Sequence, residues 1–149
     1  MGLSVSASAG VVFLGVFLAV GIAYPAAANG FERVTDARGD AADRALERAN
    51  TDVEVTNATY FEANETLVVR ADNDGTTSVG VEDATLFVDN VIPAAANTTV
   101  TVEGDGDTGL WLPGETARFE VDLAGEPTPE RAQVVVDHGV RDASEVGVN

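Results

Sequence analysis

The chain has 149 residues, a formal charge of −17 from 8 Lys+Arg against 25 Asp+Glu, and no cysteine. So acidic a chain lacks the positive surface that neutralises nucleic-acid phosphates. Without thiols it has no disulfide scaffold, thiol chemistry or Cys-ligated metal centre.

Every basic residue is an arginine, and the first charged residue is Glu32, so an uncharged N-terminal segment precedes an acidic domain. Arginine in place of lysine, with abundant acids, Ala, Val, Gly and Thr, suggests adaptation to very high salt. There the screening length falls to about 3 Å and the carboxylates hardly interact.

Residues 9–28 (AGVVFLGVFLAVGIAYPAAA) are uncharged and mostly apolar. About 20 such residues at 1.5 Å each cross a hydrocarbon core of about 30 Å, which predicts a transmembrane helix within residues 1–30. Tyr24 stands near its far boundary, and Pro25 is placed to kink it or to open an interfacial segment. Ala26-Ala27-Ala28 also fits a signal-cleavage pattern, but the opening MGLSVSASA has no basic residue and the apolar run is long for a signal, so a retained anchor is expected.

Arg33, Arg38, Arg44 and Arg48 follow the helix, which by the positive-inside rule favours a cytoplasmic domain. That rule weakens for long following domains. Three sequons, at Asn57, Asn64 and Asn97, favour an extracytoplasmic one and mark candidate N-glycosylation sites. Residues 31–50 (FERVTDARGDAADRALERAN) are rich in helix formers, with Asp40 and Arg44 spaced for an i,i+4 pair, and predict a helical stalk.

Within 51–149 the periodicity becomes alternating. Strands are expected over 53–60, 67–71, 78–81, 84–89, 98–102, 116–123 and 132–137, separated by Gly, Pro, Asn and Asp clusters. About seven short strands predict an all-β, immunoglobulin-like antiparallel sandwich. Leu110 to Thr116 reads as a strand end, a type II turn at Pro113-Gly114 and the next strand, with Trp111 capping the core.

No catalytic constellation emerges. Gly104 to Gly109 matches G-x-G-x-x-G but opens no helix, and its two aspartates would repel a pyrophosphate. Neither that loop nor Asp72 and Asp74 completes a calcium-loop pattern. His138, the sole histidine, reads as a surface residue at a strand end, with no serine in a nucleophile elbow. No enzyme activity, cofactor or metal is expected.

The GLSVSASAGVVFLGVF opening, the AAANGFERVTDAR junction, the Asn57-containing start of the β-domain and the LWLPGE turn resemble the haloarchaeal FlaF family of archaellum accessory proteins, with the FlaG family as close alternative. The resemblance implies a single-pass protein of the cytoplasmic membrane whose domain lies beneath the S-layer. It implies S-layer glycoprotein and a FlaG-type protein as partners, with a homodimer open, and a role in holding the motor's stator to the envelope. An archaellin or pilin-like filament subunit is the rival, disfavoured because no basic residue precedes Gly2; a membrane-tethered binding module for another surface protein also stays open. Phe87, Val100, Trp111 and Phe119, on the later strands, are the candidate partner contacts.

Overall fold

The computed structural model describes residues 2–149, with side chains from residue 8 onward. The chain forms two compact units, one running to Asp43 and the other Arg44–Asn149. A continuous helix, α1 (Gly2–Asn50), supplies the first unit and enters the second. It runs through Pro25 without a break. One 18-residue window has a mean hydropathy of 2.2, so the helix is long and apolar enough to cross a membrane. Val11, Phe13, Phe17, Ile22 and Tyr24 are all exposed, with no protein packed on them.

Ten strands follow: β1 (Val53–Phe61), β2 (Thr66–Asn73), β3 (Val79–Gly80), β4 (Thr85–Val88), β5 (Thr98–Val102), β6 (Leu110–Trp111), β7 (Thr116–Asp122), β8 (Arg131–Val135), β9 (Arg141–Glu145) and β10 (Gly147–Val148). They build a five-stranded sheet ordered β10-β1-β2-β7-β5, a three-stranded sheet β4-β8-β9, and the pair β3-β6. All pairings are antiparallel except β1 with β10. A long apolar helix followed by mostly antiparallel sheets is therefore the fold.

One core joins the sheets. Leu67, Val69 and Ala71 of β2, Ala117, Phe119 and Val121 of β7, and Ala132 and Val134 of β8 alternate inward and meet Leu86, Val88 and Trp111. Central β2 also buries Val68 on its other face, the less regular alternation its sequence shows. In β1 a bulge at Thr56 shifts the register between Val55 and Asn57, so Val53 and Val55 point inward before it and Ala58 and Tyr60 after it. The Leu112 to Glu115 turn closes with Glu115 N–H donating to Leu112 O at 3.1 Å, and Gly114 takes φ +83, as a type II turn requires.

The count of about seven strands is corrected to ten. Beyond the seven stand β6, the two-residue strand end expected before the Pro113-Gly114 turn, and β9 and β10 at the C-terminal end, which were not expected. Segment β9 (RDASE) has no apolar alternation because none of its residues is buried, and its ladder with β8 makes it a strand.

The helix end is fixed to the loop after β2. Asn50 O accepts from Thr76 N–H at 2.8 Å and Asp52 O from Gly75 N–H at 3.1 Å, which satisfies carbonyls a helix terminus leaves open. A Cβ on Gly75 would stand 2.7 Å from both Asn50 O and Asp52 N, backbone atoms that cannot swing aside. Gly75→Ala is expected to cost about 1–3 kcal/mol, measured as a lowered melting temperature. Gly109→Ala, with open space around its Cβ, serves as the silent control.

Candidate interaction surface

Edge strands β4 and β5 belong to different sheets, and residues 89–97 connect them. The connection begins with a tight reversal in which Asp89 and Asn90 both take positive φ, 49° and 67°, and Val91 N–H returns to Val88 O at 2.9 Å. Two positive-φ central residues make this a type I′ turn. Asp89 Oδ1 fixes the turn by accepting from Arg131 N–H at 2.9 Å and Glu130 N–H at 3.1 Å.

Beyond it Val91 and Ile92 are 66% and 59% exposed, an apolar pair on a connection whose neighbours are polar or small. On one side lies a hollow of about 300 Å³ lined by Val91, Ile92 and Leu123 and rimmed by Asp89, Asp122 and Glu126. On the other side a cleft of about 240 Å³ runs between Leu86, Thr98, Val100 and Phe119. In the sequence, residues 90–97 look like a turn alone, with Asn90, Pro93 and Asn97 among them, which hides this surface. The Val-Ile-Pro run inside a turn segment was its signal.

The four candidate partner contacts fall into two pairs. Phe87 is half-buried on β4, and Val100 is half-buried on β5, packed against the core. Trp111 and Phe119 are buried, at 0% and 1% exposure, so neither presents its side chain to a partner. Phe119 belongs to the inward register of β7, and Trp111 lies under the Leu112 to Glu115 turn, its indole Nε1–H donating to Glu115 O at 2.7 Å.

The three sequon asparagines are all exposed. Asn57 sits at the β1 bulge, its Oδ1 accepting from Thr59 Oγ1–H at 3.0 Å. Asn64 occupies the turn between β1 and β2, and Asn97 ends a short 3-10 turn before β5. β1 leads away from the helix end, and the Asn64 turn lies at its far end. Thr66 and Thr98 pair with Asp122 and Val121 of β7, so Asn64 and Asn97 share that end of the sheet.

His138 stands in a 3-10 turn between β8 and β9, not at a strand end, with φ +60. Its Nε2 is 3.0 Å from Glu47 Oε2, and Arg48 Nη2 donates to its carbonyl. The imidazole thus ties the last helical turns to the β-domain. Ser78 and Asp137 line the same small hollow of about 210 Å³.

Gly104 to Gly109 leads into β6 rather than a helix, and Asp105 Oδ1 accepts from Asp107 N–H at 2.8 Å, folding the loop on itself. Among the described residues no group of three or more His, Asp or Glu side chains is arranged to hold a metal ion.

Glu54 faces Asp72 across the β1–β2 ladder and lies near Asp74 and Asp142. A hydrogen bond with Asp74 and then the Asp74 charge raise its pKa above the usual carboxylate value, with desolvation, Asp142 and Asp72 adding. A raised folded-state pKa means the folded chain binds the proton more tightly. The associated stability is present below the unfolded value and lost as pH rises through the folded one. Glu54→Gln is therefore expected to raise the melting temperature at neutral pH, and the gain should shrink in acid and in molar salt. Thermal melts over a pH and sodium chloride series check this; a pH-independent difference would refute it.

No protein-family model matches the sequence, and no curated protein matches it. Among solved structures, the archaellum periplasmic stator protein FlaG from Sulfolobus acidocaldarius is similar at 17% identity and TM-score 0.46, over 64% of this chain and 98% of that one. A GH20 exo-β-N-acetylglucosaminidase from Vibrio harveyi is similar at 13% identity and TM-score 0.27, over 67% of this chain but only 18% of the enzyme. At these scores neither likeness bears on what the chain does.

Proposed function

We propose that the chain is a non-catalytic archaellum accessory protein of the FlaF or FlaG type, with α1 in the cytoplasmic membrane and the β-domain in the space beneath the S-layer. It holds the static part of the motor to the envelope. The observation that carries this reading is the exposed apolar helix: Val11 to Tyr24 has no protein cover, while the β-domain completes its core from its own strands. Lipid is the solvent such a helix fits. The AAANGFERVTDAR junction and the LWLPGE turn carry the resemblance that gives the anchor its role.

The expected partners are S-layer glycoprotein and a second archaellum accessory protein, met through edge strands β4 and β5. Deleting the gene should leave archaellin synthesis intact and abolish swimming, with restoration by the full chain but not by a chain lacking residues 1–30. Capture of the full chain from detergent-solubilised membranes should bring down S-layer glycoprotein or the second accessory protein. Normal swimming in the deletion strain would overturn the assignment. Mature chains beginning inside the first 30 residues would instead favour the filament-subunit reading.

A further inference from the structure

We propose that Asn97 carries an N-linked saccharide whose first sugars lie in the hollow beside it, covering Val91 and Ile92. The inference rests on the outward orientation of the β-domain proposed above.

Four observations meet at this residue. Asn97-Thr98-Thr99 is an acceptor sequon. Asn97 is exposed and ends a short turn rather than lying within a ladder. Among the described residues its side-chain amide makes no hydrogen bond, whereas the Asn57 amide oxygen is held by Thr59. Asn97 is itself among the residues that line the 300 Å³ hollow, so a group on its side chain starts beside the space it is proposed to fill.

The lining suits a sugar. Val91, Ile92, Pro93 and Leu123 offer apolar surface to the C–H faces of a ring, and the Asp89, Asp122 and Glu126 carboxylates are acceptors for its hydroxyls. The Asn64 turn, between Glu62 and Glu65, lines none of the hollows described above.

The attachment needs a lipid-phosphate-linked saccharide as donor. A bond forms between Asn97 Nδ2 and C1 of the sugar while the C1–O bond to phosphate breaks. The lipid phosphate leaves with that electron pair, and one proton leaves Nδ2 to the transferring enzyme.

The arginines make the test direct. Cleavage after arginine releases residues 71–118, with Asn97 as the only sequon, apart from residues 49–70, which hold Asn57 and Asn64. On full chain purified from its own membranes, the 71–118 fragment should carry a saccharide mass. The mass should be lost in Thr99→Ala, which keeps the asparagine, and regained in Thr99→Ser. Amide hydrogen exchange over residues 88–97 should be slower in the glycosylated chain than in Thr99→Ala.

A bare 71–118 fragment beside a glycosylated 49–70 fragment would overturn the Asn97 assignment and leave the outward orientation standing. Two bare fragments from a domain that external protease digests on whole cells would likewise overturn only the glycan. Two bare fragments from a domain that stays protected after the S-layer is stripped from the cells would overturn the orientation as well. A glycan on Asn97 with unchanged exchange would overturn its seat in the hollow.

Discussion

Trp111→Ala is expected to unfold most of the β-domain at temperatures where the parent chain is native. Trp111 is the largest fully buried side chain, at 0% exposure. Truncating a buried aromatic to alanine costs about 3–5 kcal/mol, because the neighbours cannot collapse fully into the space it leaves. A domain holds only about 5–15 kcal/mol in total. The loss should lower the melting temperature by more than about 10 °C.

Trp111→Phe separates the indole's polar end from its bulk. Glu115 O accepts both Trp111 Nε1–H at 2.7 Å and Asn73 N–H at 3.1 Å, so losing the indole donor leaves that carbonyl one partner. The phenylalanine variant should therefore lose far less stability than the alanine one. Circular dichroism melts of the full chain in detergent decide this. A Trp111→Ala chain melting within a few degrees of the parent would show that the indole is not a core residue.

The same region shows what the sequence made legible and what it did not. Pro113-Gly114 announced its own turn, because proline fixes φ near −65° and glycine takes the positive φ of the next position without a Cβ clash. Strands β5, β7 and β8 were readable for a similar reason: one more deeply buried face imposes a period of two on the side chains. β5 runs over residues 98–102 in both the sequence reading and the structure.

Where pairing rather than burial makes the strand, the pattern is silent. β10 is exposed and exists through its parallel ladder with β1, closed by Asn149 N–H donating to Tyr60 O at 2.9 Å. The interaction surface was hidden differently. Phe119 and Val100 are neighbours across the β5–β7 ladder, yet one is core and the other half-buried, a distinction set by the edge position of β5. Asn73 was hidden most completely, since in the run Asp72-Asn73-Asp74-Gly75 it looks like any polar turn residue.

Asn73→Asp should destabilise the chain severely at neutral pH and less in acid. Asn73 is 0% exposed. Its Nδ2 donates to Thr77 O and Trp111 O, each at 3.0 Å, and its Oδ1 accepts from Gly75 N–H at 3.1 Å. One side chain thus joins the end of β2, the loop that grips the helix terminus, and the strand carrying Trp111.

Aspartate keeps the acceptor but puts a carboxylate oxygen where the two donors were, against two carbonyl oxygens and without water. A buried charge lacking its partner costs about 3–5 kcal/mol. Burial and the carbonyls both favour the protonated acid, so the folded-state pKa of the introduced carboxyl lies above its unfolded value. Stability linked to that proton is present below the unfolded pKa and disappears as pH rises through the folded one. Protonated, the new acid donates one hydrogen bond where asparagine donated two, so recovery is partial.

Asn73→Ala has no proton to gain, and its deficit relative to the parent should stay constant. Urea midpoints of parent, Asn73→Asp and Asn73→Ala between about pH 4 and pH 8 distinguish the cases. If the Asn73→Asp deficit were as flat with pH as that of Asn73→Ala, the buried amide would not be the joint between helix terminus and core.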